Sequence, residues 1–475
     1  MGGLHCACDR SPQVKSIPNN LKVEYRPPDS LRANPRNPRT HSKQQIAQIG
    51  ESIAKFGFVN PILVDEEAMV IAGHGRLAAA KEQRSDSVPV IVLAGLSEAQ
   101  KKALMIADNK IGMNAGWDSD LLAEELRSLT EAVVDIGFDA TITGFETGEI
   151  DVLLIDHDEE ASEPDEETSP MPEKPIVRAG DLWLLGQHRL LCGDATEAEG
   201  YARLMKGDEA AMVFTDPPYN VPVNGHVMGR GKVRHEEFAM ASGEMTPAAF
   251  TAFLTVVMKL LVSVSRSGSL NYLFMDAAHM REMLAAGDSA FERLVSLCIW
   301  AKTNAGQGSF YRHQTELVFV WRKAGAAHTN NIHLGKFGRN RSDLWTYAGA
   351  NSFRAGRMDD LKAHPTVKPL MLVADAIKDA TRRREIVLDP FAGSGTTILA
   401  ADKVGRRGYG MEIEPKYVEV AIARWQAQAG QDARLEGSGK SFEEVRTERL
   451  APVTRPRWLP APKSARPAAK SDEAV

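Results

Sequence analysis

Asp216-Pro217-Pro218-Tyr219 concentrates more chemistry than any other four positions of this 475-residue chain. Both prolines fix φ and lack an N–H, so the turn is stiff and its carbonyls remain free to accept hydrogen bonds. The Asp216 carboxylate and the Pro217 carbonyl can each take one hydrogen of an amino group, while the Tyr219 ring stacks on a flat base. An amino nitrogen attached to such a base is a poor nucleophile, because its lone pair is delocalised into the ring. Two acceptors favour a more tetrahedral nitrogen and stabilise positive charge as it develops during attack. The bland alternative is a proline turn that merely ends the apolar strand 211–215.

A second cluster runs Asp389-Pro390-Phe391-Ala392-Gly393-Ser394-Gly395, between a short apolar strand and a helix. Gly393 and Gly395 let backbone approach a ligand closely. The loop lacks the Lys of a phosphate-binding loop and the third Gly of the dinucleotide fingerprint, which disfavours phosphate. Seventeen residues after Gly395, Glu412 ends the strand 408–411, where an acid can hold two ribose hydroxyls. Asp389 suits an ammonium group. A ligand with an ammonium and a ribose but no phosphate describes S-adenosylmethionine.

Both clusters need strands that end at one edge of a sheet, since open α/β sheets bind ligands beyond their carboxyl ends. Apolar strands at 211–215, 270–275, 316–321, 385–388 and 407–411 alternate with helical patterns at 249–263, 371–380 and 396–404. This predicts an α/β fold with a doubly wound, Rossmann-like sheet over residues 176–430. Ahead of it, residues 156–167 hold eight acids and no Lys or Arg. The prolines that follow make 156–175 a disordered linker. The whole chain carries −6, so everything outside that stretch nets +2 and leaves room for a basic cleft. Residues 20–110 read as a small α+β domain, with strands at 61–64 and 69–71 and helices at 44–56 and 77–81. A helical extension covers 111–155; the helix-rich stretch feeding it starts at 97, capped by Ser97 and broken at Asp108-Asn109. The tail 452–475 mixes prolines with Arg and Lys and is expected to be disordered.

With both clusters in view, the chain resembles the amino-methylating DNA methyltransferases of the permuted (beta) order, in which the catalytic motif precedes the cofactor loop. The resemblance covers about residues 176–428. It implies S-adenosylmethionine as cofactor, double-stranded DNA as partner, and a target base flipped into the pocket. A leading Asp goes more often with adenine N6 and a leading Ser with cytosine N4, so adenine is expected and cytosine is the alternative. It also implies that His364-Pro365-Thr366-Val367-Lys368-Pro369 binds the methionine end of the cofactor, with Thr366 and Lys368 near its carboxylate. Asp194, in Cys192-Gly193-Asp194, would contact the cofactor's adenine; its bland reading is a turn residue, and that of Lys368 a solvated cation. Target recognition falls at about 322–361, with Lys336, Arg339 and Arg341 on phosphates and Trp345 and Tyr347 available to stack. Arg230 and Lys232 belong to a loop, 220–246, expected to close over the base; for both segments an irregular solvated loop is the alternative.

Asn34-Pro35-Arg36, the helix 44–56 and Gly73-His74-Gly75-Arg76 resemble a ParB-like nuclease or sulfiredoxin-type domain over about 20–110. Glycines at a helix start make an anion site, with Arg76 pairing the charge. Sulfiredoxin chemistry needs a cysteine in that turn, and His74 stands there with none nearby. A scaffold is the plain alternative. Cys6, Cys8, Cys192 and Cys298 form neither a disulfide framework nor a zinc set, and no metal is assigned. No run of eighteen apolar residues occurs, so a cytoplasmic protein without a membrane partner is expected, with a homodimer as the expected assembly. The rival functions are a non-catalytic, ParB-like DNA-binding protein and methylation of RNA or protein.

Overall fold

The computed structural model describes residues 21–132, 138–155, 171–172, 174–221, 243–303, 305, 310–332, 335, 341–347 and 368–450. It divides into two compact units, 1–162 and 163–475. Most of the expected acidic linker, all of the basic tail, Arg230, Lys232, Lys336, Arg339, Thr366, Cys6 and Cys8 lie outside the described residues.

The first unit carries a four-stranded sheet in the order β1 (Val23–Arg26), β4 (Val88–Val92), β2 (Ile62–Val64), β3 (Val70–Ala72). Helices α1 (Lys43–Phe56) and α2 (His74–Glu82) accompany it, and Ile62, Val64, Val70, Leu77, Val88 and Val90 form its core. Ser97 caps α3 (Glu98–Gly112) in a capping box with Gln100. The break expected at Asp108-Asn109 does not occur there. Asn109 donates its side-chain amide to the Met105 carbonyl at 2.8 Å, so the polar side chain is satisfied on the helix and α3 runs on to Gly112. The chain breaks instead before Asp118, which caps α4 (Ser119–Glu131); α5 (Thr147–Ile155) follows.

In the second unit a ten-stranded sheet runs β11 (Leu344–Tyr347), β9 (Arg293–Lys302), β10 (Thr315–Arg322), β8 (Ser265–Met275), β7 (Ala210–Thr215), β12 (Ile386–Asp389), β13 (Arg407–Glu412), β6 (His188–Cys192), β5 (Leu182–Leu185), β14 (Arg434–Leu435). The stretch from β8 to β6 is parallel, whereas β10 is antiparallel to both β8 and β9. From β7 the chain moves outward to β8; after its excursion it returns to β12 on the other side of β7 and moves outward again to β13. The point between β7 and β12 is therefore the topological switch, where a crevice opens beyond the carboxyl ends. The remaining helices are α6 (Ala198–Met205), α7 (Pro247–Val264), α8 (Met280–Ala290), α9 (Leu370–Ala380), α10 (Thr396–Lys403), α11 (Pro415–Ala429) and α12 (Phe442–Leu450).

Helix α7 is long and apolar enough to cross a membrane by length and composition. Its Phe250, Phe253, Leu254, Val257, Met258 and Leu261 are instead buried with Leu273 and Met275 of β8. On the other face of the sheet, α9 buries Leu372, Val373, Ala376 and Ile377 with Phe214, Phe274 and Val320.

Candidate active site

Four neighbouring strands each deliver an acid to the same edge: Asp216 follows β7, Asp389 ends β12, Glu412 ends β13, and Asp194 follows β6. Parallel pairing makes this happen, because strands aligned in one direction bring their carboxyl ends side by side.

Asp389 ties two of these ends together. Its Oδ1 accepts from the Thr215 hydroxyl at 2.7 Å and from the Phe391 amide at 3.1 Å, and its Oδ2 from the Thr397 hydroxyl at 2.6 Å. Burial pushes its pKa up to about 6, against those three hydrogen bonds. An acid expected to face a ligand's ammonium thus also clamps β7 to the loop and to the start of α10. The Phe391 ring leans on Phe253 of α7, 6.2 Å between centroids. Glu412 accepts from the Gly393 amide at 2.9 Å and the Glu414 amide at 2.8 Å. Burial drives it up to about 7, further than those two bonds hold it down. Asp194 accepts from the amide and hydroxyl of Thr196, at 2.8 and 2.7 Å, which sets the turn leaving β6. Arg424 of α11 donates to the carbonyl and hydroxyl of Ser394, bracing the glycine loop from behind.

Gly393 and Gly395 both take positive φ, +50° and +83°. A Cβ on Gly395 would stand 2.7 Å from Cβ of Ala421, so this glycine lets α11 pack against the start of α10. The missing side chain of Gly395 therefore faces a helix, and what this glycine would offer a ligand is its backbone.

Around Asp216 the structure assembles a network of charges. Tyr219 donates its hydroxyl to Asp216 Oδ1 at 2.5 Å. Lys368 reaches Asp216 Oδ2 and lies 3.1 Å from Glu316 Oε2. Lys302 holds the other oxygen of Glu316 at 2.5 Å. Phe274 lies under the Lys368 ammonium, 4.9 Å from ring centroid to Nζ. Burial raises the Asp216 carboxyl, and the nearby Glu316 adds to the rise against the pull of Lys368. Burial also raises Glu316, but two ammonium groups outweigh it and bring the carboxyl down to about 2.

A family profile described as DNA methylase matches residues 210–423. One described as ParB N-terminal domain matches 13–110, and one described as ParB-methyltransferase HTH domain matches 120–179. The ParB-like nuclease domain-containing protein YnaK of Escherichia coli K12 is 54% identical over 82 residues, 17% of this chain and 94% of YnaK. The chain carries an N6-adenine/N4-cytosine DNA methylase domain and a ParB-like N-terminal region. The type II methyltransferase M2.DpnII of Streptococcus pneumoniae is 29% identical over 241 residues, 47% of this chain and 85% of that one. Among solved structures, the M1.HpyAVI complex with SAM is 20% identical over 50% of this chain and 97% of its own, with a TM-score of 0.37. The cytosine-N4-specific PvuII DNA methyltransferase is 16% identical over 59% and 95%, with a TM-score of 0.39. The family takes its methyl group from S-adenosylmethionine and acts on DNA, and it spans both amino targets.

Two residues of the methyltransferase's network went unread in the sequence. Glu316 is the second residue of β10, just ahead of an apolar run of five, and Lys302 ends its hairpin partner; an acid at the head of a largely buried run was the available signal. Lys368 is not a solvated cation: it is buried, between two carboxylates. Arg341 is corrected as well. It pairs with Asp379 at 3.1 Å and Asp375 at 3.4 Å and donates to the Tyr347 hydroxyl at 2.6 Å. Two carboxylates with a neighbouring ring system inside the fold outcompete a phosphate outside it. Trp345, expected to stack on nucleic acid, is buried in the core beside Tyr272.

Proposed function

We propose that the methyltransferase modifies adenine N6, acting in the cytoplasm on a base flipped out of double-stranded DNA. The observation that carries this reading is the carboxylate of Asp216, held by Tyr219 and Lys368 at the switch point, in the turn that follows Thr215 and its hydrogen bond to Asp389 of the glycine loop. In this reading Asp216 and the Pro217 carbonyl each accept one hydrogen of the amino group. Pro218 stiffens the turn, and the Tyr219 ring covers the base while its hydroxyl orients Asp216.

The chemistry of the second set of donors and acceptors suits S-adenosylmethionine. Glu412 is a buried acid whose described partners are two backbone amides, with no cation among them, as a pair of ribose hydroxyls requires. Asp194 and Phe391 would flank the adenine, Thr366 and Lys368 the methionine end, and Asp389 with Gly393 the loop beneath. When bound, the cofactor's sulfonium supplies the methyl group. The leading Asp of the tetrapeptide favours adenine over cytosine.

Incubating the protein with unmethylated plasmid DNA and deuterated-methyl S-adenosylmethionine, then analysing nucleosides by mass spectrometry, tests this directly. Labelled N6-methyladenine is expected. Label only in N4-methylcytosine would replace the adenine assignment, and unlabelled DNA would remove the reading altogether.

A further inference from the structure

We infer that Glu316 is a positioning residue that draws Lys368 away from Asp216 when the target amino group arrives. The inference rests on the proposed role of Asp216 as acceptor of that amino group. In the described state both Asp216 oxygens are engaged, one by the Tyr219 hydroxyl and one by the Lys368 ammonium. An incoming amino group therefore competes with a full positive charge for its acceptor. A buried ammonium cannot simply let go, because leaving a charge unpaired in the interior costs more than a neutral hydrogen bond returns.

The network supplies a second berth. Glu316 Oε2 is already 3.1 Å from the Lys368 nitrogen, so the ammonium exchanges one carboxylate for another by a short shift. Tyr219 bridges the same two acids, its hydroxyl 2.5 Å from Asp216 and 3.4 Å from Glu316. Lys302 keeps Glu316 ionised and pinned by its far oxygen, at 2.5 Å. Both residues sit on the β9–β10 hairpin, where Thr315 pairs with Ala301 and the Lys302 amide donates to the Gln314 carbonyl at 2.8 Å. The berth is thus built on rigid strands and aimed at the catalytic edge. Two acids and two lysines balance in charge, and the balance survives the shift because no charge leaves the cluster.

A cycle of Glu316→Gln and Lys368→Gln, singly and together, tests the inference by labelled-methyl transfer to unmethylated plasmid DNA, with thermal melting to verify each variant's fold. Glutamine keeps the volume of Glu316 and an oxygen for Lys302 while removing the charge that receives Lys368. Glu316→Gln should cost about tenfold or more in kcat with little change in the KM for S-adenosylmethionine. Glu316→Asp should recover part of that loss. In the Lys368→Gln background, where no cation needs a berth, the same Glu316 change should cost little, giving strong non-additivity. Equal losses in both backgrounds, or full activity of Glu316→Gln, would overturn the inference while the wild-type rate upholds the function. A wild type that transfers no methyl would fell the function first and the inference with it.

Discussion

Lowering the pH from 8 to 6 is expected to weaken S-adenosylmethionine binding by about tenfold through Glu412 alone. The acid is buried at the end of β13, and burial brings its pKa up to about 7, with Asp389 adding to the rise. Ribose hydroxyls donate to an ionised acceptor, so apparent affinity follows the ionised fraction. That fraction is about nine-tenths at pH 8 and about one-tenth at pH 6, a difference of roughly 1.3 kcal/mol. Binding should release close to one proton at pH 6 and about a tenth of one at pH 8. Calorimetric titration in two buffers of different ionisation enthalpy counts those protons. The ligand's own amino group titrates at about pH 8, so the decisive quantity is the difference between wild type and Glu412→Gln. Identical pH slopes and proton counts in the two proteins would refute the reasoning. Stability carries the opposite sign to that of a salt-bridged carboxylate. The folded protein holds a proton that the unfolded chain releases at the ordinary 4.5, so unliganded stability falls as pH rises from there toward about 7.

Three other outcomes follow from the same geometry. Asp216→Asn should lower turnover by about a hundredfold or more while sparing cofactor affinity, since the carboxylate meets the base; near-normal methyl incorporation would sink its assignment. Gly395→Ala should destabilise by about 2–5 kcal/mol, from the left-handed backbone and the contact with Ala421, as urea unfolding measures. Pairing it with Ala421→Gly should return the packing share only, and a Gly395→Ala protein of wild-type stability would contradict the helix contact. Arg341→Ala should cost at least about 1 kcal/mol of stability. It should also leave the salt dependence of DNA binding unchanged, whereas a shallower slope would restore Arg341 to the phosphate-contacting set.

Strand ends were legible in the sequence wherever a buried parallel strand met a motif. The runs 211–215 and 386–388 are near-continuously apolar, as strands covered on both faces must be, and each stops at an acid or a proline. The edges were harder. Strand β9 alternates exposed and buried positions only weakly, and β11 is four residues long, so neither rises above its surroundings. The basic, aromatic composition of 322–361 suggested a DNA contact, yet composition does not reveal that Arg341 has Asp375 and Asp379 within reach from α9. Glu316 and Lys302 share this obscurity. Their meaning comes from the pairing of β9 with β10, which joins them, and from the ion pair of Glu316 with Lys368, over fifty positions further on.

The Thr215–Asp389 hydrogen bond joins residues 174 positions apart, and it bears on why the permuted order of motifs functions at all. Strands β7 and β12 are adjacent and parallel, pairing Met212 with Val387 and Val213 with Leu388. Sheet geometry fixes the distance between the two loops that follow, whichever strand the chain reaches first. Permutation alters only the connections on the far side. On the proposed function, what must survive it is a rigid link between the Asp216 turn and the glycine loop, because in-line transfer tolerates little error in their separation. Asp389 provides that link by taking Thr215 from one strand and Thr397 from the helix after the other. An acid at this position therefore has a geometric reason independent of any ligand it touches.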